Sequence, residues 1–128
     1  MHQASFKLSA LSGLILALGL FISPTSFALN AQDLKTCETL IADLCTQQDL
    51  TFIRNGSSYD AKRACEHLKM KLDYAKDDLN SVADFINEVA SKSSFSGRDY
   101  EVVLKDGTKL TAKTFLEKRL QDLGLVKD

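Results

Sequence analysis

The stretch Phe52-Ile53-Arg54-Asn55-Gly56-Ser57-Ser58-Tyr59-Asp60-Ala61-Lys62 is answered 51 positions later by Val103-Leu104-Lys105-Asp106-Gly107-Thr108-Lys109-Leu110-Thr111-Ala112-Lys113. Each copy reads as a β-rich run, an Asx-Gly pair that tolerates positive φ, a short return run, a capping side chain and the start of a helix. An isolated two-stranded hairpin is marginal in water, so the four short strands must pair with one another or pack on helices. A helical pattern also precedes each hairpin. The order is then αββα-αββα and the fold class α+β: about four helices with two short β-hairpins forming a small antiparallel sheet covered by helices on one face. The matched residues are those that turn and cap chemistry select in any case, so shared local demands explain the repetition slightly better than duplication does.

Outward from the first hairpin, Asn30 can cap a helix whose apolar positions Leu34, Cys37, Ile41, Leu44 and Cys45 recur at three- and four-residue steps, ending near Gln47 or Gln48. Asp60 caps a second helix with Ala61, Ala64, Cys65, Leu68, Leu72, Ala75 and Leu79 on its apolar face. Ser81 with Asp84 resembles a capping box for a third helix carrying Val82, Phe85, Ile86 and Val89. A serine-rich loop spans Ser91 to Gly97, and Thr111 caps a last helix that buries Phe115, Leu116 and Leu120 before Gly124 ends it.

The first 28 residues have a different grammar: one basic residue, Lys7, an apolar run from Leu8 to Ile22, then Ser-Pro-Thr-Ser-Phe-Ala. That order is the pattern of a secretory signal peptide, with small residues Ser26 and Ala28 where the peptidase needs them. A run of about fifteen residues makes a helix of only about 22 Å against a hydrocarbon core of about 30 Å. Residues 1–28 are therefore expected to be removed, leaving 29–128 as a single small domain in the periplasm, without a membrane span.

The whole chain has 16 basic and 17 acidic residues, and loss of Lys7 leaves the mature part at a formal charge of −2. No long block of one sign occurs in it, which argues against nucleic acid or a polybasic membrane patch. Three cysteines in an oxidising compartment suggest one bridge and a leftover thiol. Cys37 and Cys45, eight residues apart on one helix, stand about 12 Å apart and cannot bond. The disulfide candidates are Cys65 with Cys37 or with Cys45; three buried small hydrophobes are the bland alternative. Metal ligation is not expected, because the cysteines lack close spacing and His67 is the one histidine of the mature part.

Turning 100° per residue about Leu68 gathers Asp60, His67, Lys71, Tyr74 and Asp78 along one flank of the second helix. An imidazole, an ammonium and a phenol on one ridge suit an anion or a proton-transfer group, although mixed flanks of this kind are common on solvated helices. The Ser91–Gly97 run supplies hydroxyls, but it follows a helix C-terminus and lacks the glycine spacing of a phosphate loop. Arg54 beside the Asn55-Gly56 turn sits at a hairpin tip, free to meet a carboxylate or phosphate, although solubility or an ion pair with the chain's own acids is the commoner role of such a residue.

Phe52-Ile53-Arg54-Asn55-Gly56 with Tyr59, Ala61, Ala64, His67-Leu68, Lys71-Leu72, then Ala83-Asp84-Phe85-Ile86, Ala90-Ser91, Ser93-Ser94, Ser96-Gly97 and Tyr100 are similar to the YfeK-like family of small exported bacterial proteins. The resemblance covers about residues 50–120. It implies one small domain in a Gram-negative envelope, and it implies no activity. Its pattern gathers Arg54, Asn55, Tyr59, His67, Lys71, Ser94 and Tyr100 as candidate binding residues; the three cysteines lie outside it.

Export, size, balanced charge and the lack of a convincing nucleophile–base pair lead to a non-catalytic binding or interaction module. Its partner would be a protein, peptide or glycan of the cell envelope, and no cofactor is expected. The alternative is a small envelope hydrolase or transferase with His67 as base, a serine of the 91–96 loop as nucleophile, and Asp60 or Asp84 orienting the imidazole. An inhibitor or immunity protein for a secreted toxin shares the features of the binding module.

Overall fold

A computed structural model describes residues 28–126. Apart from Ala28, the leader read over residues 1–28 lies outside the described residues.

Helix α1 (Ala31–Cys45) starts where the Asn30 side chain accepts the Asp33 N–H at 2.7 Å. It stops slightly before Gln47, because the Thr46 hydroxyl and N–H both turn back onto the Asp43 carbonyl. Strands β1 (Thr51–Arg54) and β2 (Ser57–Asp60) join through Asn55 and Gly56, whose φ values of 51° and 83° are the left-handed pair that a two-residue hairpin demands. Asp60 caps α2 (Ala61–Ala75) by accepting the Arg63 N–H, and a 3₁₀ turn, Lys76–Asp78, closes that helix.

Ser81 caps the third helix through the Asp84 N–H, but only Val82–Asp84 (α3) is α-helical; Phe85–Ala90 is π-helical. The i→i+5 repeat of a π turn brings Phe85 and Ala90 onto one side and lets Phe85, Ile86, Val89 and Ala90 all enter the core. The amphipathic pattern of this helix is thus realised with a wider turn than expected.

Strands β3 (Glu101–Val103) and β4 (Lys109–Thr111) are shorter than their β-rich composition suggests. The Leu104 N–H already bonds the Thr108 carbonyl, and Asp106 holds the Thr108 N–H, so five residues make the turn. Thr111 then caps α4 (Ala112–Asp122) through the Thr114 N–H.

The four strands form one antiparallel sheet in the order β2-β1-β3-β4, with the hairpins meeting along β1 and β3. Register places Tyr59, Phe52, Val102 and Leu110 in one row across it. That row faces the helices, where Phe52 meets Phe115 edge-on, with ring centroids 6.3 Å apart. Leu40, Ile41, Leu44, Leu68, Phe85, Ile86, Val102 and Leu116 make the centre of a single core. The fold class and the αββα-αββα order are as the turn and cap pattern required.

Two cross-links hold α1 in place. Cys45 bonds Cys65, joining the end of α1 to the start of α2 with Cα atoms 5.3 Å apart, while Cys37 stays a buried free thiol. Of the two possible partners for Cys65, the structure selects Cys45. The Arg119 guanidinium of α4 donates two bonds of 2.8 Å to the Asp43 carboxylate of α1, the paired geometry its fork favours.

Candidate functional site

Residues two apart on a strand share a face. Arg54 therefore follows Phe52 onto the helix side of β1, and Tyr100 precedes Val102 onto the same side of β3. Continuing the antiparallel register one step sets Arg54 opposite Tyr100, beside the core row. Helix α2 lies across this corner and adds Arg63 and His67, one turn apart. The result is a cleft of about 210 Å³ between α2 and the sheet. Phe52, Ala64, Leu68 and Ala90 line its apolar part, and Arg54, Tyr59, Arg63, His67 and Tyr100 supply the polar groups, with Glu66 and Met70 at the rim.

Tyr100 is the fixed point. Its N–H donates to the Ser91 carbonyl at 2.8 Å, its carbonyl accepts from Ala112 at 2.9 Å, and only 4% of its surface is exposed. The Lys71 ammonium donates to the Tyr100 hydroxyl at 3.0 Å and to the Lys92 carbonyl at 2.8 Å, and lies 4.8 Å from the Tyr100 ring centre. On the other side, His67 Nε2 stands 3.5 Å from the same hydroxyl. Lys71 thus sits behind Tyr100, and His67 faces the cleft in front of it.

At the other end Tyr59 collects the two guanidiniums. Arg54 lies 5.1 Å and Arg63 5.7 Å from its ring centre, and Arg54 Nη2 donates to the phenol oxygen at 3.2 Å. The aromatic quadrupole holds both charges where they would otherwise repel.

Burial, reinforced by Arg54 and Lys71, holds His67 below the ordinary imidazole value, so it is neutral near pH 7. Burial, with Arg54 second, brings the Lys71 ammonium down to about 8. Burial raises Tyr100, which keeps its phenol protonated. Lys71 thus donates to the Tyr100 hydroxyl, which faces the Nε2 of a neutral His67 on its other side.

Of the seven candidate binding residues, Arg54, Tyr59, His67 and Tyr100 line this cleft, and Lys71 backs it. Asn55 is exposed beside it, accepting from Ser96 Oγ at 2.7 Å and donating to Ser93 Oγ at 3.2 Å, so it fastens the hairpin to the serine-rich loop. Ser94 is exposed on that loop and is not part of the cleft lining. Arg54 is not a free hairpin-tip cation but half-buried against Tyr59. Of the helix flank, Tyr74 is 91% exposed and Asp60 is used as a cap. Arg63 escaped the sequence reading although it precedes His67 by the four-residue step that joins His67 to Lys71.

Chemically, the arrangement offers two guanidiniums, an imidazole and two phenols to a bound group. His67 contacts Tyr100, not a serine of the loop, and the hydroxyls of Ser93 and Ser96 are occupied by Asn55 and by neighbouring N–H groups. Asp84 accepts from the Asn80 N–H. Among the described residues no group of three or more His, Cys, Asp or Glu side chains could hold a metal ion, and no helix is long and apolar enough to cross a membrane.

Fold and cleft together define a small α+β domain with a cationic, aromatic-walled recess between a helix and a two-hairpin sheet. The chain belongs to a family of unknown function, DUF5329, whose pattern matches residues 31–124. It is a homologue of the "Uncharacterized protein YfeK" of Salmonella typhimurium, 34% identical over 71 residues, or 56% of this chain and 59% of that protein. The chain thus spans less than two thirds of that relative's length. No solved structure matches it.

Proposed function

We propose that the chain is an exported periplasmic protein acting as a non-catalytic binding module, with its ligand held in the cleft between α2 and the sheet. The observation that carries this reading is the convergence of Arg54, Arg63 and His67 on one recess with Lys71 behind it. Among the described residues none of these four takes part in an ion pair, as also holds for the exposed Lys35, Lys62, Lys69 and Arg98, whereas Lys76, Lys92, Lys105, Lys109, Lys113, Lys118 and Arg119 all do. Half-burying the Arg54 and Lys71 cations without a carboxylate costs free energy that a bound anion would return. The Cys45–Cys65 bridge and the leader pattern support the oxidising periplasm as the site of action.

The test is an amide NMR titration of the full chain, expressed with its own leader and purified after export, against peptide and glycan fractions of the cell envelope. Perturbations should cluster at Arg54, Tyr59, His67 and Tyr100 and vanish in Arg54→Ala. Shifts confined to other surfaces, or none with any fraction, would remove the cleft from consideration.

A further inference from the structure

We infer that the group recognised in this cleft is a single carboxylate carried on a compact apolar body, the chemistry presented by the free C-terminal residue of a short peptide ending in an aliphatic side chain. This deepens the binding reading and rests on it. Three features of the cleft carry it.

The first is size. A volume of about 210 Å³ falls below the range of roughly 300–1,000 Å³ common for small-molecule sites, so the recess takes one residue-sized group and not an extended polymer. The second is charge. Two guanidiniums, Arg54 and Arg63, stand against one rim carboxylate, Glu66, which leaves the lining matched to a monoanion. Lys71, held behind Tyr100 by neutral acceptors alone, reinforces the same sign. Inorganic phosphate has no apolar half to set against Phe52 and Leu68, and it would meet Glu66 as well.

The third feature is the division of the walls. Phe52, Ala64, Leu68 and Ala90 are buried and carry no polar side-chain atom, so the half of the ligand beside them must be apolar. The planar guanidinium forks lie at the Tyr59 end, where they suit the two oxygens of a carboxylate. Neutral His67, its Nε2 3.5 Å from the Tyr100 hydroxyl, adds an imidazole to the same lining.

The test compares four probes by NMR titration of the exported full chain at pH 7: an N-acetylated alanyl-alanyl-leucine peptide with a free carboxylate, the same peptide as its C-terminal amide, 4-methylpentanoate, and inorganic phosphate. The acid peptide should shift the cleft resonances and bind at least about tenfold more tightly than the amide, the scale of one lost charge-assisted hydrogen bond. Arg63→Gln, on an exposed helical position where folding is not at stake, should erase most of that preference at an unchanged Tm.

Binding of 4-methylpentanoate as tight as the acid peptide supports the inference with a free acid as the source, and weaker binding supports it with a peptide end. Equal affinity for acid and amide, phosphate binding as tight as the acid, or no cleft shift with any probe would overturn it. If envelope fractions shift the cleft while the carboxylate probes do not, this inference falls alone; if neither does, the binding reading falls with it.

Discussion

At the scale of single residues, Lys71 is the side chain whose environment makes the sharpest demand. Its ammonium titrates at about 8 in the folded chain against an ordinary 10.5, with burial the main cause and Arg54 the second. Between those values the unfolded chain holds a proton that the folded chain has shed, so this group's contribution to stability rises with pH; below 8 the cost of the half-buried charge is present in full. Cys37 runs the other way, because burial pushes its thiol from 9.0 up to about 12 and its contribution declines above pH 9. The Lys71 effect is therefore readable between pH 8 and 9. Thermal melts of wild type and Lys71→Met at pH 7 and pH 9 should show the wild type gaining on the variant by less than about 1 kcal/mol after solvent screening, a few degrees in Tm. An offset between the two proteins that stays constant across both pH values contradicts the burial argument. Helical periodicity was enough to put His67 and Lys71 on one ridge, whereas Arg54, read as a free cation at the hairpin tip, folds back half-buried against Tyr59. What periodicity could not supply was Tyr100 lodged between the imidazole and the ammonium, since that meeting depends on β3 lying next to β1, a pairing of residues about 50 positions apart.

Among the elements, α1 contributes no residue to the cleft lining, yet it is bonded to the helix that carries it. Cys65 lies two residues before His67, so the bridge to Cys45 fixes the first turns of α2, from which Arg63 and His67 project. Closing a loop across 20 residues removes unfolded-state entropy worth about 3 kcal/mol. Reduction should accordingly lower Tm by ten degrees or more, while a Cys45→Ser/Cys65→Ser double variant should melt low with and without reductant. A wild-type Tm indifferent to reductant would mean the bridge is dispensable to the fold. The elements themselves were largely legible, because Asn30, Asp60, Ser81 and Thr111 each cap a helix at the position their chemistry favours. The π turn at Phe85–Ala90 was not. Its apolar spacing fits an ordinary amphipathic helix, and the wider turn is selected by tertiary packing that brings Ala90 both into the core and against the cleft. The choice of Cys45 over Cys37 was equally closed to sequence, since both lie inward on α1 and only the way α1 crosses α2 brings one of them to Cys65.

For the molecule as a whole, the proposed route outside the cell puts a constraint on the order of events at the amino terminus. The expected cleavage falls after Ala28, and the very next residue, Leu29, already belongs to the core, with 9% of its surface exposed and its N–H donating to the Lys76 carbonyl at 3.1 Å. A peptidase needs an extended segment with Ser26 and Ala28 presented to its pockets, and docking of Leu29 against the end of α2 would hold the scissile bond close to the folded surface. Cleavage is then expected to precede docking, and the new terminal ammonium inherits the bond to Lys76. Intact-mass measurement of the protein recovered from the periplasm should give residues 29–128 with one disulfide. Ala28→Arg, which places a bulky charge where a small side chain is required, should leave the chain unprocessed and retained with the membrane fraction, its leader still attached. Recovery of the wild-type chain with Met1 in place, or with a terminus several residues beyond Leu29, would break the link between the leader reading and the folded domain, because Leu29 would then be either unreleased or missing from a core that includes it.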